Sequence, residues 1–216
     1  MREFVNPEGL AAALAAEVAA ALRARIEKDG CAAMAVSGGT TPMRFFEALS
    51  QEILDWSVVT VTLVDDRCVP DLSPRSNARL VRDHLLHNAA AAASFQPLLG
   101  IGVEQKIAAL NLPFAAVVLG MGTDGHTASF FPGGDRLEEA FKGDHLMVTM
   151  SAPGADEPRV TLTLPVLMGA DFVALHFEGA AKQAVLAAAL AGDDAHEMPV
   201  RAVLRWGEGP AIFWCP

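Results

Sequence analysis

Residues 114–134 read FAAVVLGMGTDGHTASFFPGG, and they say more about the fold than any other stretch of the chain. The apolar run 114–119 has the length and β-branched content of a buried strand. Three glycines in the next six residues predict a loop at its carboxyl end, and this loop carries Asp124 and His126. Because α/β sheets bind ligands at the carboxyl ends of their strands, the pattern predicts a functional site here. The alternative is a tight structural turn with an incidental histidine.

Gly120, Gly122 and Gly125 also fit the dinucleotide-binding pattern G-x-G-x-x-G. That pattern binds a cofactor only when the loop opens directly into a long helix, whose N-terminus then faces the pyrophosphate. Here the Pro-Gly-Gly sequence at 132–134 would end such a helix within two turns. The sequence therefore does not favour a nicotinamide cofactor.

Segments with strand and helix patterns alternate on both sides of this stretch. Strands are predicted at 31–36, 58–64, 114–119, 145–151, 159–164, 171–177 and 211–214. Helices are predicted at 7–28, 42–49, 77–86, 180–190 and 197–206. Asn6 and Ser76 are the expected N-caps of the first and third of these helices. The alternation predicts an α/β fold with a mostly parallel sheet and helices on both faces. No linker divides the chain, so we expect a single domain over residues 1–216.

Composition restricts the kind of partner. The net charge of −10 argues against nucleic acid and anionic membranes, and it means that an anionic substrate would need a local cluster of Arg and Lys. No stretch has the roughly 18 uncharged apolar residues of a membrane span. The three cysteines are odd in number and show no zinc-binding spacing, which is typical of a reduced, cytoplasmic protein.

The residues that follow the first predicted strand, Ser37-Gly38-Gly39-Thr40, suit a phosphate. Glycines allow the backbone to approach closely, hydroxyls donate hydrogen bonds, and the following helix presents its positive end. The lysine of a nucleotide-binding P-loop is absent, so a phosphomonoester fits better than a nucleoside triphosphate. A Ser/Thr-capped turn is the structural alternative.

Three cations could complete an anion site. Arg67 follows the second strand in Asp65-Asp66-Arg67, where it could stabilise an oxyanion or pair with its neighbours. Arg159 and Lys182 are candidates for phosphate binding, although each alone would be read as a surface charge.

Other titratable groups attract less functional interest. His176 is expected to be structural, because it lies within a strand. Arg67 is expected to lower the pKa of the adjacent Cys68, but a nucleophilic cysteine would still need a positioned base.

Four blocks together resemble the 6-phosphogluconolactonase family. They are SGGTTP at 37–42, DDRCVP at 65–70, LGMGTDGHTAS at 119–129 and RVTLTL at 159–164. Their order and spacing match from about residue 31 to residue 185. The first block is shared with amino-sugar-phosphate isomerases of the same superfamily, which also resemble this chain through the Asp-Gly-His turn at 124–126. The family usually has Asp-Glu-Arg where this chain has Asp65-Asp66-Arg67, which leaves open whether Asp66 can place Arg67.

The resemblance implies a three-layer, modified Rossmann-like fold without metal or organic cofactor. It also implies hydrolysis of 6-phospho-D-glucono-1,5-lactone to 6-phospho-D-gluconate, the second step of the oxidative pentose phosphate pathway. In that reaction His126 would be the general base for a water, and Asp124 would orient the imidazole or the water. Arg67 and nearby backbone N–H groups would stabilise the oxyanion. The expected substrate-binding residues are Ser37, Gly38, Gly39, Thr40, Asp65, Arg159 and Lys182.

Two other functions stay open at this point. Isomerases and deaminases of the superfamily typically carry a glutamate five residues after the histidine, where this chain has Phe131. A non-catalytic sugar-phosphate sensor would normally bring a helix-turn-helix and a basic face, which this acidic chain lacks. For the lactonase we expect a small-molecule sugar-phosphate lactone as the partner, without nucleic acid or membrane, and a monomer or weak homo-oligomer.

Overall fold

The computed structural model describes residues 1–143 and 145–216. A seven-stranded sheet forms its centre, and all of the strand pairings in that sheet are parallel. In spatial order the strands are β1 (Arg2–Glu3), β10 (Ala211–Cys215), β9 (Phe172–Glu178), β6 (Ala116–Leu119), β2 (Ala32–Val36), β3 (Val59–Leu63) and β5 (Ser94–Gln96). The predicted α/β class with a mostly parallel sheet is confirmed.

The strand order reverses in the middle of this sheet. From β2 the chain adds β3 and β5 towards one edge, and then returns to add β6, β9 and β10 on the other side. The adjacent strands β2 and β6 therefore define a topological switch point. In open α/β sheets this is where a crevice forms beyond the carboxyl ends of the strands.

Helices cover both faces of the sheet, since every residue of β2 and β6 is buried. They are α1 (Pro7–Asp29), α2 (Met43–Ser50), α3 (Asn77–His84), α4 (Val103–Ala108), α5 (Leu137–Lys142), α6 (Leu164–Met168), α7 (Ala180–Ala191) and α8 (Val200–Leu204). Helix α1 packs against α2, whereas α6 and α7 both pack against α8. Within the described part of the chain, no helix has the length and apolar content needed to cross a membrane.

The predicted helix boundaries rest on capping residues that the structure shows directly. The Asn6 side chain accepts a hydrogen bond of 2.8 Å from the Gly9 amide at the start of α1, and Gly30 ends this helix with a φ of 79°. The Ser76 hydroxyl accepts one of 3.3 Å from the Arg79 amide and caps α3. Such caps contribute about 1 kcal/mol each.

A second sheet of three antiparallel strands differs from the sequence prediction. Its order is β4 (Asp65–Arg67), β8 (Arg159–Leu162) and β7 (Met147–Met150). Residues 65–67, expected only to follow the second predicted strand, thus form a strand of their own. The predicted strands 145–151 and 159–164 shorten to β7 and β8, which lie outside the parallel sheet. The chain passes from one sheet to the other at Val64. The Val64 amide donates to the Val36 carbonyl of β2, whereas the Val64 carbonyl accepts the Leu162 amide of β8.

Short elements account for the remaining differences. The sequence analysis did not predict β1, β5, α4 or α6, each of six residues or fewer. Helix α8 spans Val200–Leu204 rather than 197–206. Elements of this length contain too few residues for hydrophobic periodicity to identify them.

Candidate active site

A cleft of about 250 Å³ lies beyond the carboxyl ends of β2 and β6, at the switch point. It brings together residues at the ends of five strands and residues of two helices, α3 and α7. The predicted site residues that line it are Ser37, Gly38, Gly39, Thr40, Asp65, Arg67, His126, Arg159 and Lys182. Asp124 does not line the cleft but contacts His126 from behind.

His126 and Asp124 form a hydrogen-bonded pair. The two atoms His126 Nδ1 and Asp124 Oδ1 are 2.6 Å apart, and the same oxygen accepts the His126 backbone amide at 3.1 Å. Burial alone would raise the pKa of Asp124, but the hydrogen bonds from His126 outweigh it and lower the pKa. An ionised Asp124 holds the imidazole proton on Nδ1, which leaves the Nε2 lone pair free to accept a proton.

Glycine at position 122 is required by this pair. A Cβ atom on Gly122 would lie 2.2 Å from His126 Nδ1 and 2.5 Å from Asp124 Oδ1. The next helix after the loop is α5, which begins only at Leu137. Gly122 thus makes room for the His126–Asp124 pair, and the G-x-G-x-x-G pattern does not open a helix onto a pyrophosphate.

The loop after β2 is fastened to the loop after β6. The Ser37 hydroxyl accepts a hydrogen bond of 3.0 Å from the Gly120 amide, and the Thr127 hydroxyl donates one of 2.7 Å to the Gly120 carbonyl. Gly39 has a φ of 94°, which favours glycine. This loop leads into α2 at Met43, so its backbone lies at the positive end of a helix.

Asp66 organises the residues around Arg67. Its buried carboxylate accepts the backbone amides of Arg67 and Asn77 at 2.8 Å each and that of Ala78 at 3.1 Å. Burial raises the pKa of Asp66, and these backbone donors oppose the rise. The shorter side chain that stands in place of the family's usual glutamate therefore reaches the start of α3.

Asn77, which the sequence analysis did not select, connects this cluster to the cleft. Its Oδ1 accepts a hydrogen bond of 2.6 Å from Arg67 Nη1, and its Nδ2 donates one of 2.9 Å to the Asp65 carbonyl. A Cβ on Gly38 would lie 1.9 Å from Asn77 Oδ1, so Gly38 is needed for this contact. The only sequence signal was the position of Asn77 directly after the Ser76 cap.

Arg67, Arg159 and Lys182 all line the cleft, and none of them forms an ion pair within the described residues. Burial lowers the pKa of Arg159; nearby Asp65 opposes this effect and Arg67 adds to it. Burial likewise lowers the pKa of Lys182, and Glu178 opposes it. In a chain with a net charge of −10, three unpaired cations around one cleft are the electrostatic signature of an anion site.

Asp65 is the acidic member of the cleft wall. Its side chain is buried, and its Oδ2 accepts a hydrogen bond of 2.6 Å from the Ser129 hydroxyl. This bond joins β4 to the segment that follows His126. Asp65 and His126 thus line the same cleft, and the Asp65–Ser129 bond connects the segments that carry them.

Two expectations about other groups need correction or extension. Cys68 does not have the lowered pKa expected from its neighbour Arg67, because burial and the Asp66 carboxylate raise the pKa of the thiol. His176, expected to be structural, is buried and also lines the cleft near Lys182.

Comparisons with known proteins agree with this geometry. The model of the family of glucosamine-6-phosphate isomerases/6-phosphogluconolactonase matches residues 5–214. A 6-phosphogluconolactonase of Rhizobium meliloti is 51% identical over 100% of this chain and 98% of its own, and one of Mesorhizobium japonicum is 48% identical over 99% and 94%. The crystal structure of a 6-phosphogluconolactonase from Shewanella baltica superimposes with a TM-score of 0.97 at 37% identity, covering 100% of this chain and 97% of the other.

A cleft with a His–Asp pair, and with three cations that have no ion-pair partner in the described part of the chain, lies at the switch point of a parallel sheet. This arrangement is typical of α/β proteins that bind small anions. The chain belongs to the glucosamine-6-phosphate isomerase/6-phosphogluconolactonase family.

Proposed function

We propose that the protein hydrolyses 6-phospho-D-glucono-1,5-lactone to 6-phospho-D-gluconate, the second step of the oxidative pentose phosphate pathway, and that His126 activates the attacking water. The relatives named 6-phosphogluconolactonase support the activity. The observation that carries the mechanism is the hydrogen-bonded His126–Asp124 pair, placed in one cleft with three cations that have no ion-pair partner among the described residues.

The chemical step needs a base, a water and a stabilised oxyanion. His126 Nε2 takes a proton from the water while its oxygen attacks the lactone carbonyl carbon, which gives a tetrahedral oxyanion. When this intermediate collapses, the bond from the carbonyl carbon to the ring oxygen breaks. The imidazolium returns its proton to that oxygen, so the products are a carboxylic acid and a hydroxyl. Asp124 stabilises the imidazolium between the two proton transfers.

Arg67 is the proposed partner of the oxyanion. Asn77 Oδ1 and the Arg75 carbonyl hold its Nη1 at 2.6 Å and 3.1 Å, which fixes the guanidinium and leaves its other N–H groups free of described partners. Donors that are positioned before the reaction stabilise developing charge without reorganising during it. Asp66 contributes through the amides of Arg67 and Asn77 and is a positioning residue.

Arg159, Lys182 and the 37–40 loop are the proposed phosphate-binding groups. The phosphate does not react, so its binding energy serves to place the lactone carbonyl beside His126. Asp65 is proposed to hold the reacting end of the cleft in register through Ser129. These steps require no metal or organic cofactor.

The amino-sugar-phosphate isomerases are the enzymatic alternative within the family. At the position of their glutamate, this chain places Phe131, whose ring stacks on His126 with 4.3 Å between ring centroids. A phenyl group cannot transfer a proton during opening of a sugar ring. We therefore expect no ammonia release from glucosamine 6-phosphate.

We also propose that the single domain 1–216 acts in the cytoplasm as a monomer or weak homo-oligomer. The three unpaired cysteines, of which Cys31 and Cys68 are exposed, suit a reducing compartment. Sedimentation of the purified protein at micromolar concentration tests the oligomeric state.

The test of the function is a coupled assay with freshly generated lactone, in which a dehydrogenase oxidises the 6-phosphogluconate formed. The rate must be corrected for spontaneous hydrolysis of the lactone. We expect enzyme-dependent product formation that is proportional to protein concentration. A rate equal to the spontaneous one, or ammonia release from glucosamine 6-phosphate at a comparable rate, would contradict the proposal.

A further inference from the structure

Phe131 lies directly behind two of the residues that line the cleft. Its ring stacks on the His126 imidazole with an interplanar angle of 28° and 4.3 Å between centroids. The Arg159 guanidinium carbon lies 5.3 Å from the centroid of the same ring. Phe131 is only 6% exposed and does not itself line the cleft. One buried ring therefore contacts both the proposed base and a proposed phosphate-binding cation.

The backbone around Phe131 is tightly fixed. Thr127 and Phe130 form an isolated antiparallel bridge, and between them Ala128 adopts a φ of 48°, which a residue with a side chain rarely takes up. The Phe131 carbonyl accepts the Gly134 amide at 3.0 Å. The backbone therefore keeps Phe131 beside both His126 and Arg159. Any tilt of the Phe131 ring would move the side chains that it contacts.

We propose that Phe131 is a positioning residue that couples phosphate binding at Arg159 to the orientation of His126. This inference rests on the proposed function, and it assigns a role to a residue that does not line the cleft. When a phosphate binds Arg159, the guanidinium is fixed against the ring, and the ring in turn fixes the plane of the imidazole. The phosphate group then raises kcat as well as lowering KM.

The contacts suit this role because of their electrostatics. Arg159 has no ion-pair partner within the described residues, and its buried Nε has no hydrogen-bond partner there, so protein contacts alone hold the guanidinium loosely. A cation over an aromatic face is attracted to it, so the Phe131 ring offers a favourable contact to Arg159 once a phosphate fixes the guanidinium. An aliphatic side chain would fill the space but would not offer this attraction.

The kinetic test compares Phe131→Leu with the wild type on phosphorylated and unphosphorylated gluconolactone. We expect kcat for the phosphorylated lactone to fall about 10-fold, and kcat for the unphosphorylated lactone to change less than about 2-fold. In an Arg159→Met background, where the phosphate can no longer fix the guanidinium, Phe131→Leu should cost less than about 2-fold. Equal losses on both substrates, or the same loss with and without Arg159, would overturn the coupling.

Phe130→Leu is the matched control. Phe130 is the adjacent buried aromatic residue, but it packs on Phe141 with ring centroids 5.4 Å apart rather than on His126. We expect this variant to keep the wild-type ratio of kcat on the two lactones. If Phe131→Leu does not fold, Phe131→Met replaces it, since a flexible apolar chain without a ring makes the same prediction.

A binding experiment separates this inference from the proposed function. The ring proton signals of His126, identified by their loss in His126→Ala, are followed by NMR while inorganic phosphate is added. Phosphate should shift these signals in the wild type and shift them less than half as far in Phe131→Leu, at equal saturation measured by calorimetry. Equal shifts in both proteins would overturn the inference. Phosphate-dependent shifts in a protein without lactonase activity would instead contradict only the proposed function.

Discussion

Arg67 and Arg159 lie directly opposite each other on the antiparallel strands β4 and β8. Like charges in cross-strand positions destabilise a sheet, and neither guanidinium forms an ion pair within the described chain. Both nevertheless line the cleft. An anion bound between these two guanidinium groups would offset their repulsion. The pairing of β4 with β8 therefore favours an anionic ligand at this position.

Replacing Arg159 or Lys182 by methionine should weaken binding of the phosphorylated ligand. Methionine keeps an apolar stem of similar length and removes the charge. We expect KM for the phosphorylated lactone to rise about 10-fold or more in either variant, since charge-assisted contacts to phosphate are the strong ones. KM for unphosphorylated gluconolactone should not change.

The exposed Lys106, which lies outside the cleft, gives the matched control Lys106→Met. Bound 6-phosphogluconate should also raise the melting temperature of the wild type, with about 2.7 kcal/mol of stabilisation at a hundredfold excess over Kd. If 6-phosphogluconate raised the melting temperature of Arg159→Met as much as that of the wild type, Arg159 would not be a phosphate-binding residue.

Replacing His126 by alanine should lower kcat by roughly 10²–10⁴-fold, the usual contribution of a general base. Binding of 6-phosphogluconate, followed by calorimetry, should change little. His196→Ala is the control, because His196 has the same spacing from an aspartate but lies outside the cleft. Turnover of His126→Ala near the wild-type rate would exclude the proposed base.

Replacing Asp124 by asparagine should lower kcat by about 10²-fold or more, because the amide would donate to Nδ1 and shift the imidazole proton to Nε2. Asp194→Asn is the matched control, since Asp194 Oδ1 accepts the His196 backbone amide at 2.8 Å, but the His196 ring contacts Glu138 instead of this aspartate. A variant with more than half of the wild-type kcat would show that Asp124 has no orienting role.

The contribution of Asp124 to the stability of the native state depends on pH, because the pKa of this carboxyl group is lowered. A carboxyl group whose pKa is lowered on folding stabilises the native state above its ordinary pKa, and this contribution disappears as the pH falls through the lowered value. Asp124 therefore stays ionised under mildly acidic conditions. The difference in unfolding free energy between wild type and Asp124→Asn, measured in urea, should persist on mild acidification and narrow only as the pH falls below about 4, near the ordinary pKa of aspartate. A difference that narrows already between about pH 7 and 5 would contradict the lowered pKa of Asp124.

Replacing Asp66 by asparagine should destabilise the protein by roughly 1–3 kcal/mol, because the amide nitrogen would face the Ala78 amide as a second donor. The pKa of Asp66 is raised on folding, so the native state binds this proton more tightly than the unfolded state. The contribution of Asp66 thus falls as the pH rises through the interval above the ordinary pKa of aspartate. Urea unfolding should show a gap between wild type and variant that narrows as the pH rises from about 4 to 7. A difference in unfolding free energy that widens with rising pH would contradict a raised pKa of Asp66.

The sequence alone determined those features that depend on neighbouring residues. The caps at Asn6 and Ser76 fixed the starts of α1 and α3, and the apolar runs predicted the central strands. Polar and glycine-rich residues after β2, β3 and β6 indicated where the site would lie, because the carboxyl ends of parallel strands meet at one edge of a sheet. These signals are local, so they can be read without knowing which strands pair.

The tertiary structure decided the features that depend on pairing between distant segments. The register of β4 on β8 places Arg67 opposite Arg159, and the fold brings Asn77 to Arg67 and Phe131 between Arg159 and His126. Nothing in the spacing of these residues predicts the contacts, since a one-residue change of register would turn the side chains of a strand to its other face. The residue types of the site are thus set by local sequence, whereas their partners are set by long-range packing.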